Sequence, residues 1–120
     1  MTESKKTVDV ATAFSEAWTS HDMDIAAKYI ATDVVFDGPM GHVTGAKDYV
    51  ESLTRLGKEV KDFRMIAAFG DEEQALVMYD LITKSYGTLR CAKLFKVRDG
   101  KIYDDKLTFD SDKIRSAKAA

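Results

Sequence analysis

The chain has 120 residues, of which 45% are hydrophobic and 32% are charged, and its formal net charge is -2. This length predicts a single domain over residues 1–120 with one hydrophobic core. Basic residues are scattered among acidic ones, which argues against nucleic-acid binding, and no apolar run approaches the ~20 residues that span a bilayer, so no membrane contact is expected.

The first half of the chain has apolar residues at helical spacing, interrupted by one compact β-branched run. In chain order we predict a helix over 7–20, a shorter helix ending near 31, a strand over 33–37, a loop over 41–45, and a helix from Thr44 as its capping residue to Gly57.

From about residue 59 the apolar period changes from near 3.6 to 2, which is typical of β-strands. We predict strands over 59–69, 75–84, 89–97 and 101–109, with a turn over 70–73 and Asp99-Gly100 as a hairpin turn between the last two. A terminal helix begins near 110, residues 116–120 are expected to fray, and residues 1–6 read as a polar tail.

This order of elements predicts an α+β fold in which a cone-shaped, curved antiparallel sheet wraps around the N-terminal helices. The single cysteine, Cys91, cannot form an internal disulfide, and the polar start lacks the apolar segment of a secretory signal, so a cytoplasmic location is expected. The two histidines and the cysteine are not spaced as metal ligands and no glycine-rich phosphate loop is present, so we expect no metal and no cofactor.

Three of the predicted strands each carry one charged residue in a phase that is otherwise apolar: Asp80, Lys93 and Asp105. Side chains alternate across a strand, so these groups are expected to point into the same interior as their apolar neighbours. Because a buried charge needs a partner, water or a ligand, the pattern predicts a pocket with a polar floor.

The opposite phase of two neighbouring strands is also apolar, which predicts a hydrophobic outer face on the sheet. Monomers rarely expose such patches, so we expect a homodimer with an isologous contact through this face. The residues expected in that contact are Val77, Tyr79, Leu81, Ala92 and Leu94. Coverage by the C-terminal tail is the alternative.

The element order resembles the nuclear transport factor 2-like superfamily, and within it the SnoaL-like and ketosteroid isomerase-like small proteins. The resemblance is carried by the segments 14–18 (FSEAW), 31–39 (ATDVVFDGP), 44–46 (TGA) and 95–102 (FKVRDGKI). It implies a cystatin-like fold with a conical pocket between sheet and helices, and frequent dimerisation through the sheet exterior. It does not fix an activity, since this superfold hosts enzymes, binding proteins and adaptors.

Ketosteroid isomerases use a carboxylate base at the end of the first strand and two oxyanion donors. The resemblance places Asp37 near that base, although an ungapped alignment places Gly38 there instead. Phe14 stands where the tyrosine donor is expected and Lys93 where the protonated acid is expected, so steroid isomerisation is not predicted. The arginine that limonene epoxide hydrolases carry two positions before a strand aspartate is also missing, since Met78 precedes Tyr79 and Asp80.

The predicted catalytic set is Asp37 as base, Lys93 as oxyanion stabiliser, and Asp105 and Asp80 beside them, with at least one carboxyl pKa raised and Lys93 held protonated. The same residues could instead form an ion-pair network that fills the cone. The predicted ligand-binding wall comprises Phe14, Trp18, Tyr49, Phe63, Met65, Met78, Phe95 and, at the mouth, His42.

Three functions therefore compete. The first is a cofactor-independent isomerase, cyclase, dehydratase or hydrolase acting on a small, mainly apolar molecule. The second is a non-catalytic carrier of such a molecule. The third is a protein-interaction module in which side chains close the cone, and the volume of the cavity separates it from the other two.

Overall fold

The computed structural model describes residues 6–119, with side chains placed up to residue 116. The elements in chain order are α1 (Thr7–Thr19), α2 (Met23–Ala27), β1 (Ile30–Gly38), β2 (Gly41–Thr44), α3 (Ala46–Gly57), β3 (Val60–Gly70), β4 (Gln74–Thr83), β5 (Thr88–Arg98), β6 (Lys101–Phe109) and α4 (Asp112–Ala119). Of the predicted polar tail 1–6, only Lys6 lies within the described residues. The predicted frayed end is helical as far as Ala119, and Ala120 lies outside them.

The six strands form one curved sheet in the order β2-β1-β6-β5-β4-β3, with the helices on its concave side. The predicted α+β fold is confirmed. Strands β3 to β6 are paired antiparallel, as predicted, while β1 and β6 lie parallel. The strands of the N-terminal half, β1 and β2, therefore join the sheet at β6.

The Asp99-Gly100 hairpin is confirmed. Both residues have positive φ, 54° and 74°, which is the conformation that an Asp-Gly pair adopts most readily in a two-residue turn. Strands β5 and β6 continue from this turn as an antiparallel pair, starting with Arg98 opposite Lys101.

Three features of the first half differ from the prediction. Helix α2 ends at Ala27, because the backbone N–H of Ile102 donates to Tyr29 O and Ile30 pairs with Ile102, so this segment enters the sheet. The predicted loop over 41–45 is the short strand β2, paired with β1. Gly45, with φ 91°, is the residue before α3 and replaces the predicted cap Thr44.

The core lies between α1 and the concave face of the sheet. Val10, Phe14 and Trp18 are buried on one side of α1, at the spacing that predicted this helix. Phe14 stacks on Tyr49 of α3 and meets Phe95 of β5 edge-on, so helix and sheet contact through aromatic rings.

The predicted orientation of β4 is wrong. Val77, Tyr79 and Leu81 were expected on the outer face, but they are almost fully buried, while Leu76 and Met78 are 51% and 40% exposed. Both phases of β4 are apolar, so alternation alone could not orient the strand. Its partner decides the phase, since Val77 lies opposite Lys93, which faces the core, and Tyr79 lies opposite Cys91.

No helix in the described part of the chain combines the length and apolar character needed to cross a membrane.

Candidate functional site

A cavity of about 430 Å³ lies between the concave face of the sheet and helices α1 and α3. Its size falls within the range of small-molecule sites. Most of its lining is apolar or aromatic, with contributions from α1, α3 and every strand except β3: Trp18, Phe36, Val43, Leu53, Leu56, Tyr79, Leu81, Leu89, Leu107 and Phe109. The predicted cone is thus not filled by its own side chains.

Lys93 is the charged residue of the inner lining, and it forms an ion pair with Asp105. Lys93 Nζ lies 3.0 Å from Asp105 Oδ2, and their side chains are 2% and 0% exposed. The Tyr49 hydroxyl donates a hydrogen bond to the same oxygen. Strand register explains the meeting, because Asp105 of β6 lies opposite Phe95, two residues from Lys93 on the same face of β5. The predicted inward orientation of both charges is therefore observed.

Four aromatic rings surround the Lys93 ammonium. Its Nζ lies 5.8 Å from the ring centroid of Phe14, 5.6 Å from Trp18, 5.7 Å from Phe36 and 5.4 Å from Phe95. Each ring is within the distance at which the negative face of the π system attracts a cation. Together with the Asp105 carboxylate, these rings form the surroundings of the Lys93 ammonium.

The other titratable groups of the inner lining remain neutral near pH 7. Burial raises the pKa of Tyr49 well above 10, and the neighbouring Asp105 carboxylate raises it further. The pKa of Tyr79 is also raised, chiefly by burial and then by Cys91. Burial raises the pKa of the Cys91 thiol to about 11. The inner end of the cavity thus carries one positive and one negative charge.

Asp37 does not take part in this arrangement. On β1 the neighbouring residues Phe36 and Gly38 line the cavity. Asp37 is exposed, and the residue opposite it in the register of β1 and β2 is the exposed His42. The expectation that Asp37 faces the pocket as a base is therefore wrong, because its phase is the opposite one. Gly38, the alternative in the ungapped alignment, is the residue that faces the cavity.

Asp80 is also outside the cavity. It lies on the outer face of β4 opposite Arg90, whose Nε and Nη2 donate to its two carboxylate oxygens, each at 2.9 Å. These hydrogen bonds lower the pKa of Asp80. The prediction that Asp80 belongs to the catalytic group is therefore wrong. Asp80 forms an ion pair with Arg90 on the outer face of the sheet.

The predicted ligand wall is reproduced in part. Trp18 and Tyr49 line the cavity, and Phe14 and Phe95 are buried against Lys93. The remaining four predicted wall residues are absent from the lining: Phe63 and Met65, which are half-buried against the core, His42, which is exposed, and Met78, which lies on the outer face.

Several lining residues were not predicted. Leu107 and Phe109 share the inward phase of Asp105, and Leu53 and Leu56 lie on the apolar stripe of α3, so their spacing carried a usable signal. The residues at the mouth of the cavity were harder to predict from the sequence. They come from separate elements, namely Pro39, Met40, Arg55, Glu59, Tyr86 and Ile114.

Within the described residues no group of three or more His, Cys, Asp or Glu side chains is placed to hold a metal ion. The inner lining places a few polar groups among apolar walls.

Comparison with solved structures supports the fold. A protein of Kribbella flavida DSM 17836 superimposes with a TM-score of 0.90 at 29% identity, covering 94% of this chain and 93% of that one. An NTF2-like protein of Cytophaga hutchinsonii gives a TM-score of 0.80 at 22% identity over 96% and 99% of the two chains. A Mycobacterium tuberculosis LEH-like epoxide hydrolase gives 0.77 at 19% identity over 92% and 87%. The last two similarities concern the fold alone.

Among curated proteins no match to the sequence is found. A family model for the SnoaL-like domain matches residues 11–104. This match covers well over half of the chain and includes most of α1, all of α2 and α3, strands β1 to β5 and most of the cavity lining. The chain therefore belongs to the SnoaL-like domain family, within the NTF2-like superfamily.

Proposed function

We propose that this protein binds a small, mainly apolar molecule in the cavity, with one polar atom of the molecule at the Lys93 end. The observation that carries this proposal is the cavity of about 430 Å³, whose mainly apolar wall includes a buried ammonium group. Apolar walls supply affinity through burial, and a few placed polar groups supply orientation. An interaction module with a closed cone would not leave this space.

A cofactor-independent acid–base enzyme is the second candidate. Lys93 favours it, because a preorganised cation in a water-poor site stabilises negative charge that develops on a substrate oxygen. The LEH-like epoxide hydrolase of M. tuberculosis shares the fold, so hydrolysis of a small molecule is one chemistry to be tested. The orientation of Asp37 argues against catalysis, because Asp37 does not line the cavity. The carboxylate among the lining residues is that of Glu59, at the mouth. Binding therefore ranks above turnover.

The test is native mass spectrometry of freshly purified protein, followed by titration with an environment-sensitive apolar fluorophore. Leu107→Trp should fill the cavity. The variant should then show neither the added mass of a co-purified small molecule nor binding of the fluorophore. Ile25→Trp, at an exposed position on α2, is the matched control and should retain both. Equal binding by the two variants would contradict the cavity as the site.

We also propose a homodimer through the outer face of the sheet, with a corrected set of contact residues. The exposed apolar side chains that strand register places on this face are Phe69, Leu76 and Met78, with Ala92 and Leu94 of β5 beside them. Ala92 and Leu94 are also predicted from the sequence, whereas Val77, Tyr79 and Leu81 are replaced. A patch of this kind is unusual on a monomer, and a second copy offers the same apolar surface in return.

A further inference from the structure

The Lys93 ammonium has hydrogen-bonding capacity that the described residues do not use. An ammonium group carries three donors. Among the residues that the structure describes, the hydrogen bond from Nζ goes to Asp105 Oδ2 at 3.0 Å. The rings of Phe14, Trp18 and Phe36 lie around it, but a ring face is a weak acceptor compared with an oxygen. Lys93 belongs to the cavity lining, and its other donors have no hydrogen-bond partner among the described residues.

The charge at this end of the cavity is already balanced. Lys93 is positive and Asp105 is negative, and both are almost completely shielded from water. The Asp105 carboxylate has a second oxygen, Oδ1, that is buried without a partner among the described residues, so the negative charge is not fully compensated by hydrogen bonds. A second carboxylate brought to Lys93 would have to lose its hydration and approach this negative charge.

For an uncharged acceptor the hydration cost is smaller and the repulsion by the Asp105 carboxylate is weaker. A carbonyl oxygen loses less hydration on entering the cavity, and it receives a charge-assisted hydrogen bond from Lys93. The Tyr49 hydroxyl does not reverse this preference for an uncharged oxygen. Tyr49 already donates to Asp105, so its proton is not available to an incoming anion.

We propose that the inner end of the cavity selects ligands by an uncharged acceptor oxygen, such as a carbonyl, on an apolar body, and discriminates against ligands that carry a carboxylate there. This inference rests on the proposed function, since it requires that the cavity binds a small molecule. It adds the chemical class of the group that Lys93 recognises.

The test compares three naphthalene probes of similar shape: 2-acetylnaphthalene, 2-isopropylnaphthalene and 2-naphthoate. Their dissociation constants are measured at pH 7.5 by fluorescence titration. The ketone should bind about tenfold more tightly than the hydrocarbon, as expected for one hydrogen bond to a charged donor. The carboxylate should bind at least tenfold more weakly than the ketone.

The matched variants are Lys93→Met with Asp105→Asn, and Lys61→Met. The double variant removes both buried charges, keeps an acceptor for Tyr49, and should bind ketone and hydrocarbon equally. Lys61 is an exposed residue of β3, so Lys61→Met loses a surface lysine and should keep the tenfold preference. Thermal unfolding and far-UV circular dichroism confirm that each variant is folded.

The outcomes separate the two proposals. If no probe binds to the folded protein, the proposed function fails, and the inference fails with it. If the three probes bind with equal affinity, or the naphthoate binds best, the proposed function stands and the inference is overturned. A ketone preference that persists in the double variant also overturns it, because Lys93 would not be its source.

Discussion

Lys93 Nζ and Asp105 Oδ2 lie 3.0 Å apart in the protein interior, and both side chains are shielded from solvent. The attraction within such a pair offsets a large desolvation cost, so the pair contributes little net stability compared with apolar residues. Either partner alone is a buried, uncompensated charge. The two residues therefore act as a unit, and their substitution effects should not be additive.

Lys93→Met alone should lower the free energy of unfolding by about 3–5 kcal/mol, because it leaves Asp105 buried without its cation. Adding Asp105→Asn should recover much of this loss, since the second charge is then also removed. Urea unfolding of the wild type, both single variants and the double variant measures the coupling energy. A double variant whose loss equals the sum of the two single losses would rule out this coupling.

Gly38→Ala should destabilise the protein and weaken ligand binding. A Cβ at this position would lie 2.9 Å from Phe36 Cζ and 3.5 Å from Leu107 Cβ, both on residues that line the cavity. The ring must move to accommodate it, at a cost of about 1–3 kcal/mol. Urea unfolding and titration with the apolar fluorophore measure the two effects.

Asp37→Ala is the neighbouring control, because Asp37 is exposed on the other side of the same strand. It should change the free energy of unfolding by no more than about 0.5 kcal/mol and leave the affinity for the apolar fluorophore unchanged. A loss of binding in Asp37→Ala with no loss in Gly38→Ala would mean that β1 presents the opposite face to the cavity.

Cys91 should react slowly with iodoacetamide while the protein is folded. Burial raises its pKa to about 11, so the thiolate fraction at pH 8 is on the order of a hundredfold lower than for an ordinary cysteine. Mass spectrometry of the alkylated product follows the rate. Reaction should become fast in urea, and equal rates in the folded and unfolded protein would contradict the burial of this thiol.

Leu76→Lys should weaken the proposed dimer. The substitution places a charge on the outer sheet face of both copies, and disruption of a central apolar contact costs about 2 kcal/mol or more. The dimer dissociation constant should rise roughly 30-fold or more, which analytical ultracentrifugation resolves. Ile25→Lys, on exposed helix α2, is the control with the same change of chemistry. A wild-type protein that sediments as a monomer at high concentration would exclude the dimer.

The ion pair between Asp80 and Arg90 should stabilise the fold in a pH-dependent way. Arg90 holds the pKa of Asp80 below its usual value, so the folded state binds the proton less readily than the unfolded state. The stabilisation is present above the unfolded pKa near 4 and is lost as the pH falls through the lower folded value. The stability difference between wild type and Asp80→Asn should therefore shrink between pH 5 and pH 2, as urea unfolding at each pH would show. A constant difference would point to another origin.

The fold was predictable because most segments carry one dominant pattern. The period of α1, the alternation of β5 and the Asp99-Gly100 turn each allow one interpretation, and each is observed. Strand β2 was missed because its four residues, Gly41–Thr44, are too few to show a period of their own. Its pairing with β1 is a tertiary effect, which local propensity does not express.

The site was predictable only where a charge interrupts an unambiguous apolar phase. Lys93 and Asp105 satisfy this condition, and the structure brings them together. Asp80 does not, because its strand is apolar on both faces and only the pairing with β5 orients it. Asp37 shows a further limit, since a shift of one residue in a strand moves a side chain to the opposite face.

The parallel pairing of β1 with β6 has a consequence for biosynthesis. Phe36 on the cavity wall lies next to Asp105, so two residues from opposite halves of the polypeptide must meet before the inner end is complete. On the ribosome, the first strand cannot pair with the sixth until the sixth has left the exit tunnel. Such distant pairing slows folding, and the nascent protein is exposed to aggregation during that wait.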